Sequence, residues 1–184
     1  MQRRIYENLY RTSERKSMLE AGCGAGIGTS ILRGKPFIYK NVEAVHRIIV
    51  GTDKDERHIS FAQQMYPYAP FDLWDVEDGP YPAKLYDEVV AVEVIEHVED
   101  PEKAVRNLVY SCRERVWLST PNRNSPEISD EQPRNPHHVQ EFTPDEVIGM
   151  ATPYVSEVRL RHWEDFRLLE PETDVTPLVY ELIL

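Results

Sequence analysis

Residues Met18-Leu19-Glu20-Ala21-Gly22-Cys23-Gly24-Ala25-Gly26-Ile27-Gly28 constrain the fold of this chain more than any other stretch. A short apolar run closes on a carboxylate, glycines then occupy every second position, and a helix-compatible apolar segment follows. This order predicts a strand, a tight turn and a helix start, with the turn stripped of Cβ atoms so that a ligand can lie against the backbone.

The segments that follow repeat the same alternation. Residues 4 to 12 place Ile5 with Leu9 and Tyr6 with Tyr10 at i,i+4 spacing, so a short amphipathic helix within residues 1–16 precedes the first strand and is positioned to cover a neighbouring pocket. Strands are expected at residues 17–21, 47–53, 71–75, 87–94 and 115–120, with Asp53 and Asp75 at the ends of the second and third. Helices are expected between them. Asp55 is a ready N-cap for the second of these, and Asp100-Pro101 caps the helix that carries Ala104, Val105, Leu108, Val109 and Cys112. The stretch between Lys35 and His46 has no clear pattern. Residues 121–142 carry four prolines and no periodicity, which marks a working loop beside a site; the capping box Thr143-Pro144-Asp145-Glu146 pins its far end. Two further strands are expected at 153–162 and 178–184.

Alternating strands and helices with short connections predict a single α/β domain over residues 1–184. Its expected core is a Rossmann-like, doubly wound, mostly parallel seven-stranded sheet whose last strand forms an antiparallel edge. Ligands of such sheets collect beyond the carboxyl ends of the strands. Glu20 to Gly26, Asp53, Asp75, Glu93 to His97 and Thr120 to Asn124 all fall there.

Composition narrows the function. The chain has 184 residues, enough for one substantial core without metal or disulfide support. Its net charge of −11 argues against a general nucleic-acid binder, since phosphate neutralisation requires a basic face. Basic residues gather only in the first sixteen positions. The longest apolar stretch already contains glutamates, so no membrane span is expected. The N-terminus lacks the apolar segment of a signal peptide, which predicts a cytoplasmic protein with Cys23 and Cys112 reduced and buried.

The glycine spacing excludes the commonest nucleotide ligands. A dinucleotide fingerprint requires glycines at the first, third and sixth places, but Ile27 or Thr29 stands at the sixth. The phosphate loop with its Lys-Ser/Thr pair is absent.

Taken in order, Leu19-Glu20-Ala21-Gly22-Cys23-Gly24-Ala25-Gly26, Gly51-Thr52-Asp53, Trp74-Asp75-Val76-Glu77-Asp78 and Tyr86-Asp87-Glu88-Val89-Val90 to Glu93-Val94-Ile95-Glu96-His97-Val98 resemble the class I S-adenosylmethionine-dependent methyltransferases. The resemblance covers residues 17 to 152. It implies S-adenosylmethionine as cofactor, with Gly22, Cys23, Gly24 and Gly26 against its methionine and ribose part. Asp53 would accept both ribose hydroxyls with Lys54 beside it, Asp75 and the Val76 backbone would read the adenine edge, and Glu20 and Glu93 would lie near the cationic methionine end. The chain departs from the family pattern in the long segment between Gly34 and His46.

His97 is the candidate general base for a hydroxyl acceptor, because imidazole titrates near neutral pH. It could instead only cap its loop. Glu93-Val94-Ile95-Glu96-His97 with Thr120-Pro121-Asn122, and a histidine before Glu141-Phe142-Thr143, is similar both to O-methyltransferases of ubiquinone biosynthesis and to small-RNA 3′-terminal ribose methyltransferases. The second likeness implies that Glu93, Glu96, His97 and His138 (or His137) could hold a divalent metal that acidifies vicinal hydroxyls. The Asn/Asp-Pro-Pro-Tyr/Phe block of nucleobase amino methylation is missing. The expected partner is therefore a small-molecule or sugar acceptor, with an RNA end or a catalytically silent, cofactor-binding regulatory module as alternatives.

Overall fold

The computed structural model describes residues 1–13, 17–34, 48–81, 86–126 and 135–184. The patternless segment after Gly34, the last residues of the N-terminal segment and the middle of the 121–142 loop fall outside these.

The elements in chain order are α1 (Gln2–Thr12), β1 (Met18–Ala21), α2 (Ile27–Arg33), β2 (Ile49–Asp53), α3 (Glu56–Met65), β3 (Phe71–Leu73), β4 (Tyr86–Val92), a 3-10 turn (Ile95–His97), α4 (Pro101–Tyr110), β5 (Cys112–Thr120), α5 (Pro144–Ala151), β6 (Glu157–His162), β7 (Leu168–Leu169) and β8 (Leu178–Ile183). They form one sheet in the order β3-β2-β1-β4-β5-β8-β6-β7. The first five strands of that order are mutually parallel.

β1 pairs β2 on one side and β4 on the other. The chain runs outward from β1 to β3 and then returns across it, so the switch point of the doubly wound sheet lies between the ends of β1 and β4. Gly22 follows one end and Glu93 the other. The central strands are buried on both faces, as the apolar run Val89–Val92 of β4 requires, and Glu20 of β1 is buried among them. Leu19, Val89, Ala91 and Tyr180 pack toward Val105 and Leu108 of α4 and Val147 of α5. On the opposite face Met18, Ile49, Val90 and Trp117 receive Ile5 and Leu9 of α1. The Asp55 and Asp100 side chains accept from Arg57 N–H (2.8 Å) and Lys103 N–H (3.0 Å), and Thr143 with Glu146 closes a capping box.

Three expectations change. The sheet has eight strands, the additional one being the two-residue β7 hydrogen-bonded to β6. The last strand is not the edge: β8 runs antiparallel between β5 and β6, with Leu118 opposite Tyr180 and Leu160 opposite the same residue on the far side. A position paired on both edges explains why Leu178–Leu182 is buried throughout, while β6 is half exposed. Cys112 begins β5 rather than ending α4, because Ser111 bonds back to the Asn107 carbonyl and closes the helix there. Both cysteines are free and buried. No described helix is long and apolar enough to cross a membrane.

Candidate functional site

A cavity of about 790 Å³ opens at the switch point. Gly22, Cys23, Gly24, Asp53, Lys54, Asp75, Val76, Glu93 and His97 all line it, so nine of the residues singled out in the sequence converge there. Glu20, Gly26, Glu96 and His138 lie outside its lining.

The turn after β1 is shaped by backbone geometry. Gly22, Gly24 and Gly26 all have positive φ, a region costly for other residues. Cys23 N–H donates to the Thr52 carbonyl (2.8 Å) and Gly26 N–H to the Cys23 carbonyl (2.9 Å), which folds the loop over the end of β2. A Cβ on Gly24 would meet no atom within 4 Å, so the loop presents bare backbone to open space. Gly26, by contrast, is a packing position against Phe71 and Ala62.

Glu20 points away from the cavity. Its carboxylate is fully buried beneath Gly28, accepts from the Thr29 hydroxyl, and has Tyr6 of α1 against it. Burial raises its pKa to about 7, opposed by the Thr29 bond. The same carboxylate, after burial itself, pushes the Tyr6 phenol well above its ordinary value. Glu20 therefore joins α1 to the glycine turn from behind.

Asp53 is organised by the loop it serves. Its Oδ2 accepts Gly24 N–H at 2.9 Å; its Oδ1 accepts Asp55 N–H at 2.9 Å and lies 3.2 Å from His58 Nδ1. A carboxylate oxygen has two acceptor sites, so Oδ2 keeps one for a ribose hydroxyl, while the second site of Oδ1 is taken by His58 and opens when that exposed ring turns away. Lys54 pairs loosely with Glu77 (3.9 Å) across the cavity rim. Asp75 Oδ1 caps the turn by accepting Glu77 N–H (2.9 Å), and the Val76 carbonyl is fixed by Asn107 Nδ2 (2.7 Å). Trp74 lines the cavity next to them, its indole N–H donating to the Gly79 carbonyl (3.1 Å).

The β4 end is strained and acidic. Glu93 has φ +56°, unusual for a residue with a side chain, and is held by Ser119, whose hydroxyl donates to its Oε1 at 2.9 Å. Burial raises its pKa to about 7. Glu96 is buried behind it, and burial together with the Glu93 charge pushes its pKa well above the carboxylate range. Its Oε2 accepts from the Thr120 hydroxyl (3.1 Å), while Oε1 has no hydrogen-bond partner.

The 121–142 loop returns to this turn. Val139 N–H donates to the Glu96 carbonyl (2.8 Å), and His97 Nδ1 lies 2.9 Å from the His137 carbonyl. The His97 and His138 rings meet edge to face at 4.8 Å. One ligand atom from each of Glu96, His97 and His138 lies within 4.8 Å of the others, so these three could hold a cation; Glu93, engaged with Ser119, is not in the group.

Gln2, Arg3 and His58 also line the cavity and were not marked in the sequence; Tyr6, Ile27 and Trp74, read there as parts of elements rather than as ligand contacts, join them. The i,i+4 apolar pattern predicted α1 and its place beside a pocket, but not which of its residues face the cavity.

A doubly wound sheet with a bare glycine turn at its switch point, and acids beyond β2 and β3, defines a nucleoside-binding methyltransferase fold. The methyltransferase-domain family model matches residues 1–168, and the chain belongs to that family. A probable S-adenosylmethionine-dependent methyltransferase of Mycobacterium tuberculosis is 28% identical over 148 residues, 79% of this chain and 50% of that protein. A ubiquinone biosynthesis O-methyltransferase of Coxiella burnetii is 27% identical over 115 residues, 61% of this chain and 47% of that one. The chain thus spans about half the length of these curated relatives. A crystal structure of an S-adenosylmethionine-dependent methyltransferase from Thermotoga maritima superposes with a TM-score of 0.73 at 15% identity, over 99% of this chain and 88% of that one, and shares its fold.

The family implies S-adenosylmethionine, and the residues present fit it. The open face of Gly24, the acceptor oxygens of Asp53 and the Trp74–Val76 wall match a nucleoside carrying an amino-acid tail.

Proposed function

We propose that this chain transfers a methyl group from S-adenosylmethionine to a hydroxyl of a small molecule or sugar. The observation that carries the reading is His97 in the cavity wall. A carbonyl oxygen can only accept, so the 2.9 Å contact with His137 places the proton on Nδ1 and leaves the lone pair on Nε2. A neutral imidazole with its basic nitrogen uncommitted is suited to take a hydroxyl proton.

Bound, the cofactor supplies an electrophilic methyl carbon on a sulfonium. The backbone of Gly22–Gly24 and the Asp53 carboxylate would hold its ribose and methionine part, and Trp74, Asp75 and Val76 its adenine. Fixing donor and acceptor in one cavity removes the entropy of bringing them together, worth up to about 7–11 kcal/mol when alignment is good. The Coxiella burnetii relative is an O-methyltransferase by name, which supports an oxygen acceptor.

A second reading has its own observation. The unpartnered, buried Glu96 Oε1 beside His97 and His138 favours a divalent cation, and one carboxylate with two imidazoles suits Mn²⁺ or Zn²⁺. Such an ion would bind vicinal hydroxyls, as at the ribose of an RNA end.

Labelled cofactor offered with hydroxylated small molecules, sugars and RNA ends, with and without chelator, separates the readings. Transfer that survives chelator, with a kcat lowered about 10²–10⁴-fold in His97→Ala at unchanged cofactor affinity, supports the first. Loss with chelator and rescue by Mn²⁺ supports the second. Absence of cofactor binding at millimolar concentration would leave only a regulatory module.

A further inference from the structure

His138 is the only member of the Glu96–His97–His138 group, among the described residues, with hydrogen-bond partners on both ring nitrogens. Its Nδ1 lies 2.9 Å from Glu141 Oε1; Glu141 is buried and His138 largely so. Its Nε2 lies 2.9 Å from Asn135 Nδ2. The amide orientation is fixed independently, because Asn135 Oδ1 accepts the His137 N–H at 3.0 Å and so the NH₂ must face the ring. A carboxylate accepts and an amide NH₂ donates. Both contacts therefore require the same tautomer, with the proton on Nδ1 and the lone pair on Nε2.

We propose that Glu141 and Asn135 together control whether the His138 Nε2 lone pair can receive a divalent cation; this rests on the cation reading above. Glu141 is a positioning residue: it holds the ring and keeps the proton off Nε2, the nitrogen left with a lone pair to bind, as carboxylates do behind metal-ligating histidines. Asn135 is a removable cap. In the cation-free protein its amide covers the lone pair, and capture of the ion requires that side chain to turn away. Among the described residues the second Glu141 oxygen has no hydrogen-bond partner, and the bond to His138 is what holds this carboxylate.

Two measurements on the full chain test this. Two-bond ¹H–¹⁵N spectra of the cation-free protein should show His138 as the Nδ1–H tautomer; because the Asn135 amide favours the same form, Glu141→Leu is read in the Asn135→Ala background, where it should admit the Nε2–H form. An Nε2–H His138 in the unsubstituted protein, or a tautomer indifferent to Glu141→Leu in that background, overturns the positioning role. Titration with Mn²⁺ followed by calorimetry should give binding about fivefold tighter in Asn135→Ala, the loss of one competing hydrogen bond, and at least tenfold weaker in Glu141→Gln. Asn135→Ser keeps an oxygen that can accept from His137 N–H, removes the amide NH₂ and should also bind more tightly, which separates the cap from the turn. Mn²⁺ affinities equal in all four proteins overturn the cap. No Mn²⁺ binding by any of them overturns the cation reading and the cap together, while the tautomer spectra decide the role of Glu141 without cation or methyl transfer.

Discussion

Replacing Glu20 by glutamine should remove a large part of the pH dependence of folding stability. The carboxyl has an ordinary pKa of 4.5 and one of about 7 in the folded chain. Between those values the folded state keeps a proton that the unfolded state has lost. The neutral carboxyl's contribution is thus fully present below pH 4.5 and is lost as pH rises toward 7. Integrated from pH 5 to pH 8, the loss is about 2.5 kcal/mol, almost all of it below pH 7. Complete burial means that solvent screening discounts this little. Glutamine is neutral throughout and retains an oxygen for the Thr29 hydroxyl, so the variant should lack this drop. Urea denaturation of the cofactor-free proteins at pH 5, 6, 7 and 8 measures the difference. The stability gap in favour of Glu20→Gln should widen by about 2–3 kcal/mol across the series. A gap that stays constant with pH would show an ordinary, ionised carboxylate and refute the reasoning.

Gly28→Ala should loosen α1, since the new Cβ would overlap Glu20 Oε1 and the Tyr6 ring. A cost of about 3 kcal/mol is expected for such overpacking, seen as a Tm lowered by about 6–12 °C for a chain of this size. Asp53→Ala should weaken cofactor binding about 100-fold by calorimetry, because two charged hydrogen-bond acceptors are lost. Asp55→Ala should cost about 1 kcal/mol of stability as a lost helix cap and leave cofactor affinity unchanged; equal effects on affinity from both aspartates would contradict their separate roles.

The cavity was legible because each of its parts is a local signal. Gly22 and Gly24 are readable as a turn, and Asp53 and Asp75 as acids that close strands; the parallel sheet then brings consecutive strand ends together without further information. Glu20 was harder to read. A carboxylate at the end of β1 looks the same in sequence whether it enters the ligand cavity or lies beneath Gly28, and the difference is made by Tyr6, contributed by a helix on the far side of the strand. The sheet order could have been read more closely. The run at Leu178–Ile183, apolar but for Glu181, belongs to a strand paired on both edges, and the mixed run at Glu157–His162 to one nearer the rim. Periodicity reports burial, however, and says nothing of which partner supplies it. Asn135 and Glu141 were invisible for a different reason: their roles come from hydrogen-bond direction at one imidazole.

The place of β8 between β5 and β6 has a consequence for synthesis on the ribosome. β6 and β7 can pair only with each other until β8 emerges, because β5 makes no direct pairing with them. Roughly 60 residues separate the end of β5 from the start of β8, which at about 5–20 residues per second leaves the β5 edge uncovered for ~3–12 s. During that interval the nascent chain offers a long apolar strand edge, Val116 to Thr120, to any neighbour. A translational pause before Leu178 would therefore be expected to favour aggregation far more than a pause of equal length after β4.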